Sequence, residues 1–187
     1  MEKAFKFRIY PNKTQQVLLQ KTFGCTRYIY NHFLAKRIEL YKQDKSSMSY
    51  NQCSKELTVL KQELTWLKEP DKDALQKSLK DLDVAYKNFF ARPEVGFPKF
   101  KSKHGRHKSY RTSYTNGNIK FLVKKIQLPK LGKVKIKDKR THLEGRILNA
   151  TVSREPDGKY YVSICCTDVP MVALETVNHN VGIDLGL

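Results

Sequence analysis

The spacing of the apolar residues changes near the middle of this chain, and that change limits what it can fold into. After one opening strand, apolar positions recur at helical intervals up to Phe90. Beyond Arg92-Pro93 they alternate in short runs punctuated by Gly and Pro. The clearest helical stretch places Leu75, Leu79, Leu82, Tyr86 and Phe89 on one stripe, with Asp71 available as its N-cap after Pro70. Upstream, the spacing predicts a helix capped by Thr14, a break at Gly24, a second helix from about Thr26 to Tyr41, and a third opened by Ser49. Residues Ala4–Tyr10 alternate, with Phe5, Phe7 and Ile9 on one face, and Pro11 ends the run.

The downstream half reads as strands. Alternating runs occupy 109–115, 118–123, 125–128, 133–137, 146–155 and 159–168. Pro156-Asp157-Gly158, between the last two, is a hairpin turn signal. The expected class is α+β: a small β-barrel or curled sheet that the first strand joins, interrupted by a four-helix insertion. Residues 170–180 read as a linker, and VGIDLGL (181–187) reads as a short apolar strand with Asp184 in its middle.

Charge narrows the function. The net charge is +18, and it is unevenly placed. Residues 1–90 carry 17 Lys/Arg against 10 Asp/Glu, residues 91–140 carry 16 against 2, and residues 141–187 carry 3 against 6. A concentrated basic block interleaved with aromatics and turn residues attracts polyanions, so the chain is expected to bind nucleic acid. Arg92, Lys99, Lys101, Lys103, Arg106, Lys108 and Arg111 are the candidates to grip phosphates. Tyr110 and Tyr114 share a face of one short run, placed either to stack on unpaired bases or to pack in the barrel. No apolar run is long enough to span a membrane, and the polar N-terminus does not resemble a signal peptide. Cys25, Cys53, Cys165 and Cys166 form no CxxC pair, which points to reduced thiols and a cytoplasmic, nucleoid-associated protein.

Asp184 is the candidate for chemistry. A lone carboxylate between Ile183 and Leu185 in a buried strand calls for a metal, a cation or a hydrogen-bond network. The string GIDLG fits a metal-binding strand of RNase H-like nucleases and also the phosphate-facing strand of actin-like and sugar-kinase ATPases.

The ordered series FRIYPNKTQQ, GCTRYIYNHFL, ALQKSLKDLDVAYKNFF, GFPKFKSK, SYRTSYTN, LPKLGKVKI, GKYYVSI and VGIDLGL resembles the N-terminal half of the TnpB/OrfB insertion-sequence transposase family. These are RNA-guided DNA nucleases related to type V CRISPR effectors. The resemblance implies a wedge-type barrel (1–12 and 92–169) interrupted by a helical recognition domain (13–91). After the linker, residues 181–187 would be the first strand of a RuvC/RNase H-like domain. It implies guide RNA and target double-stranded DNA as partners, and Asp184 as the first catalytic, metal-binding carboxylate. Tyr50, Ser54, Lys72 and Gln76 on the helices, with Thr115 and Asn116 in the barrel, would face the short motif beside the target. Asp73 departs from the pattern, which leads to an aromatic there.

The family's remaining carboxylates and its CxxC zinc segment lie beyond Leu187. One carboxylate does not hold the two metals of an in-line phosphodiester displacement. The expectation is therefore a truncated chain that binds nucleic acid but does not cut alone. The divalent metal, Mg2+, belongs to the complete nuclease and would not bind well here. Two alternatives stand: the remainder comes from a second polypeptide or a longer parent reading frame, or the chain is a free-standing RNA- or DNA-binding regulator.

Overall fold

The computed structural model describes residues 1–105 and 108–170. Strand β1 (Lys3–Tyr10) is followed by helices α1 (Lys13–Asp44), α2 (Tyr50–Glu63) and α3 (Lys72–Ala91), with single 3-10 turns at Thr65–Lys68 and Pro93–Val95. Six strands follow: β2 (Lys108–Ser113), β3 (Lys120–Leu122), β4 (Lys125–Leu128), β5 (Gly132–Ile136), β6 (Arg146–Arg154) and β7 (Tyr160–Thr167). All seven strands form one antiparallel sheet in the order β2-β6-β7-β1-β5-β4-β3. The first strand therefore lies at its centre, and the helices lie in the chain between β1 and β2. The α+β class and the role of β1 match the sequence reading.

The alternation in β1 buries Phe5, Phe7 and Ile9 opposite Val162, Ile164 and Ile136. The hairpin at Asp157-Gly158 closes β6 on β7, with Gly158 at φ 80° and the Glu155 N–H donating to the Lys159 carbonyl at 2.9 Å. Gly145, at φ 78°, has no room for a side chain: a Cβ there would run into the Thr167 carbonyl oxygen and the Val169 side chain.

Three features differ from the sequence reading. The insertion holds three α-helices and a 3-10 turn, not four helices, because α1 runs unbroken through Gly24. Leu19 and Phe23 are buried in the sheet core, while Ile29, Phe33 and Leu34 are buried in the core among the helices. Tertiary packing on both sides of Gly24 outweighs the helix cost of one glycine, about 1 kcal/mol. Asn12, not Thr14, caps α1: its side chain accepts from the Gln15 N–H, and the Gln15 side chain accepts from the Asn12 N–H.

The third difference is the sheet, which is open and not a closed barrel. Its edge strands β2 and β3 are joined by a turn but unpaired. The main-chain groups of Ser113 that could extend the ladder are already taken. Its N–H donates to Asp73 Oδ2 and its carbonyl accepts from Asn118 Nδ2 at 3.0 Å. Helix α3 packs along β2 instead.

Candidate nucleic-acid interface

Helix α2 begins in a capping box, with Ser49 and Gln52 bonding reciprocally, and this fixes Tyr50 at its first turn. Ser54 follows one turn later on the same face. Both hydroxyls donate to Gln76 Oε1 on α3, Tyr50 at 3.1 Å and Ser54 at 3.2 Å. Gln76 Nε2 donates to no partner among the described residues. Lys72 and Lys80 lie one turn to either side of Gln76, and Lys80 Nζ stands 4.9 Å from the centre of the Tyr50 ring. Four of the sequence-predicted residues, Tyr50, Ser54, Lys72 and Gln76, thus share one face of the α2–α3 pair.

Thr115 and Asn116 come from the β2–β3 turn. Asn116 (φ 49°) and Gly117 (φ 72°) take left-handed conformations. Asn118 pins the turn by accepting the Thr115 N–H at 2.8 Å on its side-chain oxygen. The exposed side chains of Thr115 and Asn116 face Lys72 across a cleft of about 500 Å3. Lys61, Lys68 and Lys130 line the same cleft, although nothing in their spacing marked them as site residues. Lys130 sits at φ 61° in the turn after Pro129, a geometry that aims it but leaves no pattern in the sequence.

Two carboxylates anchor the cleft. Asp71 caps α3 and accepts from Thr112 Oγ1 at 2.6 Å. Asp73, where the family pattern leads to an aromatic, accepts the Ser113 N–H and ties the start of α3 to the edge of the sheet. Lys61, Lys68, Lys72 and Lys130 outnumber these two carboxylates in the lining, so the field that a ligand meets is net positive.

The remaining basic candidates separate. Lys101, Lys108 and Arg111 line a second groove, between α1, α3 and β2. Arg92, Lys99 and Lys103 are exposed along the connection after α3, outside both depressions. Tyr110 is buried in the sheet core at 7% exposure, whereas Tyr114 is 39% exposed, so packing takes the first and only the second is open to stacking. Arg106, the linker 170–180 beyond Pro170, and Asp184 with its strand lie outside the described residues. Among the described residues no cluster of His, Cys, Asp or Glu is placed to hold a metal ion. The four cysteines are free thiols, and burial pushes Cys25 up to about 11. No helix among the described residues is long and apolar enough to cross a membrane.

Residues 1–46 match the family model for the helix-turn-helix domain of OrfB insertion-sequence proteins. Over those residues this chain folds as β1 and the uninterrupted α1, not as two helices joined by a turn. Across all of its length the chain is 34% identical to a protein of Streptomyces pristinaespiralis provisionally named an RNA-guided DNA endonuclease, of which it covers 46%. It is also 34% identical to InsQ of Escherichia coli K12, named in the same way, with 98% of this chain and 45% of InsQ aligned. Virulence protein VsdF of Salmonella dublin is 33% identical over 57% of this chain and 98% of its own length. The chain spans about half the length of the two endonuclease-named relatives, in their N-terminal part. With the opening strand, the long helix and the basic sheet all inside these alignments, the chain belongs to the TnpB/OrfB family of insertion-sequence proteins.

Proposed function

We propose that this chain is the nucleic-acid-holding part of an RNA-guided DNA endonuclease. The sheet (1–12 and 92–169) acts as the wedge that carries the guide RNA, and the helices (13–91) form the lobe that meets the DNA duplex beside the target. The observation that carries this reading is the cleft where Lys72 meets Thr115 and Asn116, next to the Tyr50–Ser54–Gln76 cluster. Lysines at its rim attract the phosphate backbone, Lys72 is placed to bond a guanine edge as well, and the amide and hydroxyl groups suit base edges.

Asp184 supplies one carboxylate of the metal-dependent cutting centre. The Mg2+ held there would activate water against the phosphodiester. Two-metal displacement needs further carboxylates, so cutting is assigned to the part of the relatives' length that this chain does not span.

The test is selection from a pool of DNA duplexes randomised beside a fixed target, using the RNA-loaded chain. Lys72→Ala, Gln76→Ala and Asn116→Ala are each expected to flatten the selected motif and to change RNA affinity by less than about twofold. An unchanged motif in all three variants contradicts the reading. A second reading, binding without cutting, draws on VsdF, which aligns along 98% of its own length with only 57% of this chain. It expects removal of residues 178–187 to leave both RNA and DNA binding intact.

A further inference from the structure

The groove between α1, α3 and β2 is distinct from the cleft just described. Arg27 from α1, Lys77 from α3, Lys101 from the connecting segment, and Lys108 and Arg111 from β2 converge on a volume of about 170 Å3. Asp81 is the only carboxylate in its wall among the described residues. The floor is apolar and closed by Phe23, Ala74 and Tyr110, all buried, so the charges stand over a low-dielectric base.

Two features show that this is a held arrangement and not loose surface charge. Asn31 clamps the backbone of Lys101 from both sides: its Nδ2 donates to the Lys101 carbonyl at 3.0 Å, and its Oδ1 accepts the Lys101 N–H at 2.8 Å. The Lys101 ammonium then lies 4.1 Å from the centre of the Tyr30 ring. It is shielded there although the residue as a whole is exposed, and this desolvation lowers its pKa from the usual lysine value. Arg111, in turn, is held by Asp81, at 2.5 Å. Arg27, Lys77 and Lys108 have no carboxylate partner among the described residues. Five cations thus face one carboxylate, and that carboxylate occupies the guanidinium that an incoming anion would use.

We propose that this groove seats a phosphodiester group of the bound RNA strand, with Asp81 as the internal anion that the phosphate displaces from Arg111. Arg27, Lys77, Lys101 and Lys108 complete the seat, and Asn31 is a positioning residue. The volume suits a single phosphate group, and RNA is assigned because Lys101, Lys108 and Arg111 belong to the segment after α3 and to strand β2, the part of the chain that the proposed function gives to the guide RNA. The inference rests on the reading that the chain carries RNA, and it names where one phosphate of that RNA is held.

The test measures binding of the full chain to a labelled hairpin RNA, and to the single-stranded and duplex DNA of the same sequence, over a range of salt. Arg27→Gln and Lys101→Gln are each expected to weaken RNA binding by roughly tenfold. Each should also reduce the salt slope by about 0.7. Lys42→Gln, an exposed cation in the last turn of α1 and outside the sheet, serves as the control and should cost less than about twofold in RNA binding. Asp81→Asn should act in the opposite direction, tightening RNA binding about threefold or more, a gain that misfolding does not mimic. If Asp81→Asn lowers the melting temperature, Arg27→Gln and Lys77→Gln decide instead, measured against Lys42→Gln. Groove variants that lose no more affinity than the control, or a stable Asp81→Asn that does not tighten binding, overturn the seat while leaving RNA binding itself intact. Equal losses for duplex DNA overturn the assignment to RNA. Failure of the unaltered chain to bind any RNA overturns both this inference and the function it rests on.

Discussion

Asp73 carries more structure than a surface aspartate at the start of a helix usually does. Its carboxylate takes the Ser113 N–H, which would otherwise extend the sheet, and Asp71 takes the neighbouring Thr112 hydroxyl. These bonds join the helical lobe to the sheet at the rim of the proposed DNA cleft. Asp73→Ala is expected to cost about 1–3 kcal/mol and to speed amide hydrogen exchange at Ser113. Unaltered exchange there would contradict the tie. Gly145 is constrained more tightly, since it combines a left-handed φ with a backbone carbonyl where a Cβ would sit. Gly145→Ala is expected to lose at least about 2 kcal/mol in denaturant unfolding, and a loss below about 0.5 kcal/mol would contradict that geometry. Neither role was legible in the sequence. Asp73 stood out only as a departure from the family pattern, and its partner lies 40 residues away.

At the level of elements, legibility depended on whether one neighbour or two decided the structure. Strand β1 answers to a single core, so the alternation of Phe5, Phe7 and Ile9 fixed its face directly. The Asp157-Gly158 hairpin is local, and it too was readable. Helix α1 serves two cores, one under Leu19 and Phe23 and one around Ile29 and Phe33, and its apolar residues therefore follow no single stripe. Gly24 between them looked like a break. Its α-carbon faces open space, with nothing within 4 Å of an added Cβ. Gly24→Ala is therefore expected to raise stability by about 0.5–1 kcal/mol and leave RNA affinity unchanged. A loss of stability would show that a bend at Gly24 is required. The continuous α1 also means that this region offers no recognition helix set off by a turn, so the proposed duplex contacts fall to α2, α3 and the β2–β3 turn.

On the scale of the whole molecule, charge and topology act together. The net charge of +18 alone would suit many nucleic-acid binders. The fold divides it between a cleft of about 500 Å3 whose lysines stand beside the amide and hydroxyl groups of Thr115 and Asn116, and a smaller groove where five cations surround Asp81. The sequence could show that the block 91–140 is basic. It could not show that Lys101, Lys108 and Arg111 converge with Arg27 and Lys77, because those five come from four separated segments. The cleft residues Lys72, Thr115 and Asn116 were reached through the family resemblance, and their convergence depends on the sheet edge that Asp73 holds. The central claim, that the chain is built to carry a guide RNA, is tested most directly by sequencing the RNA retained by the purified 187-residue chain after a stringent salt wash. The expected result is one discrete RNA enriched far above the cell's bulk RNA. Retention of no RNA, or of bulk RNA in proportion to its abundance, would contradict it.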